Sequence, residues 1–511
     1  MPSKSAEAVK LWLKDGHNAL FVLILILSFL VRLYFFANAH SQPLWWDEAE
    51  YMATAKHWAF GVPYDINPQR PPLFQLAAIP FLWFGLGEGS LKFFLVLLPS
   101  ICTIGLIYFV GRELFGKRIA LIATAASSVV WSFLFWSVRF QPDFFSLSFQ
   151  LLSVLFFWKT FKEGKKSFAI LTGLFIALGF YFKISALLVP LSFLIFILFK
   201  DGFLFIKNKN YWIIFFSFLI SLIPFGIWQY VLFGNPVAFA PSYIGGTGIG
   251  QGWELGWMAL NFFYQFPKPL FFVLFLAGVA LSLLHIALSA DLYFKNKERR
   301  LDSSLFSLIL LLVMTCFYVF YIRGIIEDRW VFLMVPFIMY FSAKGLDAIA
   351  EKTKQLHPHA PLIVILVALI LLAYVQVQHA HSLIELKKTS YLPVKEASLW
   401  IKQNSAPEDT ILSNSYTQAT AYAERKILPY PALVRNESDS YSYMPSSKEM
   451  LDKLVAENHP TYLMVSIFER HPDWTQEWLN ENQLRLNPVQ AYFADAQKTQ
   501  ATLIVYEINY V

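Results

Sequence analysis

The sequence contains very little charge. Asp, Glu, Lys and Arg together make up 15% of its 511 residues, whereas hydrophobic residues make up 57%. A soluble globular domain normally devotes about a quarter of its residues to charged side chains. This composition therefore excludes an ordinary soluble protein and indicates a chain that spends most of its length in a membrane.

Cysteine is almost absent as well. The only two, Cys102 and Cys316, both lie in apolar stretches. The sequence thus offers neither a disulfide framework nor a cysteine-based zinc site.

The net charge is only +6, so nucleic acid is not an expected partner.

Long apolar runs are abundant. A membrane-spanning helix needs about 20 mostly apolar residues, and nine runs are close to this length. The apolar stretch 167–199 is too long for one crossing and carries Lys183 near its middle, so we predict two short crossings that turn near Lys183. The sequence therefore predicts about eleven transmembrane helices. The nine single spans are 19–36, 92–111, 119–138, 144–161, 211–232, 270–290, 304–322, 330–350 and 361–378.

The basic residues alternate from one predicted loop to the next. If the N-terminus lies in the cytoplasm, the inner segments of residues 1–380 hold 20 Lys and Arg residues and the outer segments hold nine. Cytoplasmic loops are normally the ones enriched in Lys and Arg. We therefore predict a multi-pass protein of the plasma or inner membrane, with its C-terminus outside the cytoplasm.

The apolar character ends near residue 380. We expect residues 1–380 to form the membrane domain, with a first outer loop at 37–91, and residues 381–511 to form a small extracytoplasmic α/β domain. Within the first loop, residues 73–84 are too short to cross and are expected to lie along the membrane interface. In the C-terminal domain the predicted strands are 410–413, 462–466 and 502–506, and the predicted helices are 394–404, 448–458 and 474–480.

Three carboxylates, Asp47, Glu48 and Glu50, directly follow two tryptophans in the first outer loop. On a helix, Asp47 and Glu50 share a face and Glu48 points elsewhere. One interpretation is structural, with Asp47 as the N-cap and Glu50 completing a capping box. The other is catalytic, with Asp47 placed to accept a proton from an acceptor hydroxyl. The two interpretations are compatible, since a capping carboxylate can also face a cavity.

Cations collect at the predicted outer ends of the spans, where few charges are expected. Each could simply snorkel to the interface or form a surface ion pair. Together they could converge on one cavity and stabilise the charge of a leaving phosphate. The predicted phosphate-binding residues are Arg70, Arg139, Lys183 and Arg329, and the candidate catalytic acids are Asp47, Glu48 and Asp143.

The order of these motifs resembles the GT-C superfamily of glycosyltransferases. Asp47-Glu48 in the first outer loop, Arg70-Pro71-Pro72, and Arg139 with Asp143 after the third span are similar to motifs of protein O-mannosyltransferases and of the bacterial aminoarabinose transferase. The resemblance covers roughly residues 1–380. It implies a base at Asp47, a donor-phosphate contact at Arg70 and a required acid at Asp143. The aminoarabinose transferase has a metal-binding Glu where this chain has Gln69, so we predict no metal ligand, while a divalent metal stays open as a cofactor.

These patterns predict an enzyme that uses a lipid-linked sugar. Nucleotide sugars are kept in the cytosol, so a transferase on the outer face needs a polyprenyl-phosphate donor. The expected reaction transfers a hexosyl or pentosyl group, with inversion, to a hydroxyl of a lipid, glycan or protein. The alternative is a polytopic transporter or flippase without catalysis. Such proteins place ionisable residues near the membrane midplane on broken helices, whereas here the charges gather at the outer ends.

Overall fold

The computed structural model describes residues 12–240, 258–289, 302–320, 327–435, 441–493 and 499–510. Its first part is helical. The helices are α1 (Gly16–Ala39), α2 (Trp46–Phe60), α3 (Leu73–Trp83), α4 (Glu88–Phe115, with a π-helical turn at Phe93–Leu97), α5 (Lys117–Ser128), α6 (Trp131–Trp136), α7 (Asp143–Glu163), α8 (Lys166–Phe182), α9 (Leu188–Asp201), α10 (Lys209–Phe233), α11 (Met258–Gln265), α12 (Lys268–Leu288), α13 (Asp302–Phe320), α14 (Met334–Thr353) and α15 (Ala360–Lys387).

Eight helical segments in the described ranges are long and apolar enough to cross a membrane. They are α1, α4, α7, α10, α12, α13, α15 and the segment Ile184–Lys207, which contains α9. The other three predicted spans fall on α5 with α6, on α8, which is shorter, and on α14, which contains four charged residues. The count of eleven therefore stays a prediction. Residue 290 and residues 321–322, at the ends of two predicted spans, lie outside the described residues.

The prediction of one continuous helix at 119–138 is wrong. Helix α5 ends at Ser128, and α6 begins at Trp131. The fully buried Arg32 of α1 donates to the Ser128 carbonyl over 2.9 Å, and the Gln376 side chain of α15 accepts from the Trp131 backbone N–H over 2.9 Å. These contacts satisfy backbone groups that a break would otherwise leave unpaired in apolar surroundings.

Two other local predictions for the membrane part agree with the structure. Helix α8 ends at Phe182, Lys183 is extended (φ −157°, ψ 126°), and the 3₁₀ turn Ile184–Leu187 leads into α9. The chain therefore turns at Lys183. The short helix expected after the two prolines is α3, which has 11 residues.

The C-terminal part is a small mixed α/β domain. Its sheet has the order β2-β1-β5-β7-β6, with β1 parallel to both β2 and β5 and with β7 antiparallel to β5 and β6, while β3 and β4 form a separate antiparallel pair. The strands are β1 (Thr410–Ser413), β2 (Lys426–Pro429), β3 (Ala432–Arg435), β4 (Tyr441–Met444), β5 (Tyr462–Ser466), β6 (Leu486–Phe493) and β7 (Ala501–Ile508). The helices are α16 (Leu392–Asn404), α17 (Tyr416–Ala423), α18 (Lys448–Asn458) and α19 (Trp474–Glu481).

All three predicted strands and all three predicted helices of this domain are present, but four strands and α17 were not predicted. Strand β6 carries Pro488 at a register irregularity on the sheet edge, and a proline normally argues against a strand. Helix α17 is buried on nearly all sides and so lacks the amphipathic pattern of a surface helix. Helix α15 runs to Lys387, so it crosses the predicted domain boundary at 380/381.

Helices α12 and α14 meet backbone to backbone at two glycines. A Cβ at Gly278 would lie 1.9 Å from the Phe341 carbonyl oxygen, and one at Gly345 would lie 2.1 Å from the Leu274 carbonyl oxygen. Small residues allow membrane helices to approach this closely. The α12–α14 contact therefore depends on both glycines.

Gly278→Ala should destabilise the helix bundle. The added methyl group would force the two helices apart, and overpacking of this kind typically costs about 1–3 kcal/mol. Thermal unfolding in detergent should show a lower melting temperature. Gly105→Ala is the matched control, because a Cβ there would come no closer than 4.0 Å to the Phe21 ring. Equal melting temperatures for the two variants would contradict the close contact.

Candidate active site at the first loop

Helix α2 presents its acids on two different faces. Its N-cap is Trp45, whose backbone N–H donates to Glu48 over 2.8 Å. The interpretation with Asp47 as the N-cap and Glu50 at N3 is therefore wrong, because the helix starts two residues earlier than that and Glu48 closes its first turn. Asp47 and Glu50 share the other face, as predicted, and both bind Arg70, at 2.5 Å and 2.6 Å.

Asp47 is bound by a second arginine from a distant part of the chain. Arg329 Nη2 donates to Asp47 Oδ2 over 2.5 Å, while Arg70 donates to Oδ1. Arg329 also donates to Gln141 over 2.8 Å and pairs with Glu327. Both carboxylate oxygens of Asp47 are therefore occupied by guanidinium groups.

Asp143 and Lys183 complete the group. Lys183 Nζ lies 2.5 Å from Asp143 Oδ1 and donates to the Arg329 carbonyl over 3.3 Å. Asp143 Oδ2 lies 3.8 Å from Arg329 Nη1 without a hydrogen bond. The structure thus brings together five of the seven predicted site residues. We call these five the charged site: Asp47, Arg70, Asp143, Lys183 and Arg329.

The other two predicted residues lie apart from the charged site. Glu48 and Arg139 pair with each other, and both side chains are completely buried. Arg139 also donates to Gln42 over 2.9 Å and stacks on the Trp45 ring at 3.9 Å. Because both side chains are inaccessible to solvent, this pair supports the first loop and is not exposed to a ligand.

The charges of the site strongly influence one another. Burial alone would raise the pKa of Asp47, but Arg70 and Arg329 more than offset it and hold the pKa well below its usual value. Burial lowers the pKa of Lys183, an effect that the Asp143 carboxylate opposes. Asp47 is therefore a carboxylate at neutral pH, and it becomes a stronger base only when its arginines turn to another anion.

Several supporting residues were missed by the sequence reasoning. Asn67 donates to Glu50 over 2.6 Å, and Gln141 holds Arg329. Asn67 lies close to Arg70 in the sequence, and Gln141 lies close to Asp143. This proximity in the sequence could have identified them as site residues. Glu50 was recognised as sharing the face of Asp47 but was not included in the predicted site.

The donor set does not suit a divalent metal. In the described part of the chain, no group of three His, Cys, Asp or Glu side chains is placed to hold one. Asp47 and Glu50, the two carboxylates on one face of α2, are both paired with Arg70. Arg70 therefore fills the position that a cation would need.

Asp328, next to Arg329, is a partly buried acid whose hydrogen-bond donors are neutral. Ser132 and Trp136 of α6 donate to its carboxylate, the tryptophan over 3.0 Å. Burial raises its pKa to about 6, from an ordinary value of 3.8. Asp328 is therefore partly protonated in mildly acidic solution.

Asp328→Asn should remove a pH dependence of stability. A raised folded-state pKa means that the folded protein binds the proton more tightly, so this contribution is present below about pH 4 and is lost as the pH rises through about 6. The melting temperature of the wild type should therefore fall relative to that of Asp328→Asn between pH 4.5 and pH 7. Parallel curves for the two proteins would contradict the raised pKa.

Residues 69–228 match the family model described as dolichyl-phosphate-mannose-protein mannosyltransferase. This segment contains Arg70, Asp143 and Lys183 of the charged site. Over this segment the chain is similar to the PMT family of GT-C glycosyltransferases. The family uses polyprenyl-phosphate sugars as donors, and the resemblance inferred from the motifs is confirmed. No curated protein matches the sequence.

The fold of this chain is similar to that of several solved structures. ArnT from Cupriavidus metallidurans, solved with undecaprenyl phosphate, aligns with a TM-score of 0.63 and 12% identity over 96% of this chain and 98% of that one. The oligosaccharyltransferase AglB from Archaeoglobus fulgidus, in complex with an inhibitory peptide and a dolichol-phosphate, aligns with a TM-score of 0.58 and 13% identity over 89% and 70%. The mycobacterial arabinofuranosyltransferase AftD aligns with a TM-score of 0.54 and 14% identity over 96% and 41%. These likenesses show that the chain has the ArnT-like membrane fold.

Proposed function

We propose that this protein transfers a sugar from a polyprenyl-phosphate donor to an acceptor hydroxyl on the outer face of the membrane. The observation that carries the proposal is the position of Asp47 between Arg70 and Arg329, with Lys183 nearby. The match of residues 69–228 to the mannosyltransferase family model supports the donor class. The undecaprenyl phosphate bound by ArnT and the dolichol-phosphate bound by AglB point to the same chemistry.

The donor phosphate would bind to the cations of the charged site. Guanidinium groups form paired hydrogen bonds with phosphate oxygens, and Arg70 and Arg329 each already donate one hydrogen bond to the Asp47 carboxylate. An arriving phosphate would compete with Asp47 for them. Asp143 would keep Lys183 and Arg329 in place during that exchange.

Release from its arginines would make Asp47 a suitable base. The acceptor oxygen would form a bond to the anomeric carbon of the sugar while the bond from that carbon to the phosphate oxygen breaks. The acceptor proton would pass to Asp47, and the polyprenyl phosphate would leave with its charge stabilised by Arg70, Arg329 and Lys183. A single displacement of this kind inverts the anomeric centre.

The predicted roles of Glu48 and Arg139 change within this proposal. Their complete burial favours a positioning role for the pair, since it fixes the start of α2. Phosphate binding then rests on Arg70, Lys183 and Arg329. The acceptor could be a lipid, a glycan or a protein.

Asp47→Asn should lower turnover at least a hundredfold, because general base catalysis is typically worth about 10²–10⁴-fold. Donor affinity should not fall, because an amide competes less well than a carboxylate for the arginines. Turnover is measured as release of polyprenyl phosphate from polyprenyl-phosphate mannose by the purified protein. Full activity in Asp47→Asn would move the base to Asp143.

Glu48→Gln should mainly lower the melting temperature, because it leaves the buried Arg139 without a charged partner.

The outward orientation can be tested with single cysteines in a protein whose two native cysteines are replaced by Ser. Ser41→Cys and Leu484→Cys, both at exposed positions, should react with an impermeant thiol reagent in intact cells. Lys165→Cys, which is also exposed, should react only after the cells are opened. The opposite pattern would place the charged site in the cytoplasm.

A further inference from the structure

Buried charged side chains hold the backbone that leads into α2. Lys92 donates to the Gln42 carbonyl over 2.6 Å, and Arg139 donates to the Pro43 carbonyl over 3.3 Å. Both of these side chains are fully buried. The residues just before Asp47 are therefore held by specific contacts and do not form a loose loop.

The C-terminal domain supplies a further member of this network. The Tyr422 hydroxyl of α17 accepts a hydrogen bond from the Leu44 backbone N–H over 2.8 Å and donates to Glu88 over 3.2 Å. Lys395 of α16 also donates to Glu88, over 3.0 Å, and Lys92 lies 2.5 Å from the other oxygen of that carboxylate. Tyr422 thus links the C-terminal domain to the first loop through both its hydrogen bonds.

The same helix also contacts α2 further along. Lys56 of α2 donates to the Ala421 carbonyl over 2.7 Å and pairs with Glu424 at 2.6 Å. Helix α17 therefore holds α2 at two places, just before its start and near its end. The direction in which α2 presents Asp47 depends on these contacts.

We propose that Tyr422 is a positioning residue through which the C-terminal domain fixes the Leu44 backbone and the orientation of Asp47 in the charged site. The expected effect on turnover rests on the proposed function. The link between Tyr422 and the Leu44 backbone rests only on the observed contacts. Leu44 is 1% exposed, so its N–H has no access to water if the hydroxyl is removed. A buried donor without a partner is costly, and the loop should shift or open to relieve it.

Tyr422→Phe is the test, with Tyr430→Phe as the matched control. Tyr430 is also a buried tyrosine of the C-terminal domain, but its hydroxyl donates to the Thr475 carbonyl, away from the first loop. Amide hydrogen exchange of the full-length protein should accelerate about tenfold in the peptide covering residues 42–46 in Tyr422→Phe. The same peptide should be unchanged in Tyr430→Phe.

The turnover measurement separates positioning from simple loss of stability. With polyprenyl-phosphate mannose as the probe, Tyr422→Phe should lower kcat about tenfold and leave the donor KM unchanged, because Arg70, Lys183 and Arg329 keep their places. Unchanged exchange in residues 42–46, or an equal change in both variants, would overturn the proposal. Faster exchange with normal kcat would overturn the positioning role. A wild-type protein without any turnover would contradict the proposed function, while the exchange experiment would still decide the link.

Discussion

The shared binding of Asp47 by Arg70 and Arg329 is the interaction on which the rest of the site depends. Arg70 follows α2 by ten residues, whereas Arg329 lies between α13 and α14, more than 250 positions later. One carboxylate therefore joins the first loop to the far part of the membrane bundle. Arg329, the most buried of the three, depends most on this pairing, because a buried charge without its counter-charge is strongly destabilising.

Such an arrangement is costly as a device for stability alone. Replacing buried ion pairs by apolar residues is often neutral or stabilising, and this chain has many apolar residues to offer. A cluster with three cations and two aspartates is better explained by ligand binding, in which a phosphate replaces the Asp47 carboxylate on the arginines. Glu48 and Arg139, in contrast, are fully buried and paired with each other, and they support the loop.

Much of this molecule can be predicted from its sequence. The apolar runs indicate the helices, and the unexpected charges at their ends identify five residues that do meet. The break between α5 and α6 could not be predicted, because it depends on Arg32 and Gln376, which reach it from distant helices. The role of Glu48 could not be predicted, because the local sequence does not show which face of α2 packs against the rest of the protein. Glu48 lies on the buried face and pairs with Arg139. Helix α17 was missed for the related reason that burial on nearly all sides removes the periodic signal.

The central claim is that the arginines around Asp47 bind the phosphate of a polyprenyl lipid. Mass spectrometry of lipids retained by the purified protein tests this most directly. The account predicts that the wild type retains a polyprenyl phosphate or its sugar conjugate and that Arg70→Ala retains at least about tenfold less, since a charge-assisted contact is worth about 1.5–3 kcal/mol. Equal retention of that lipid by both proteins would contradict it.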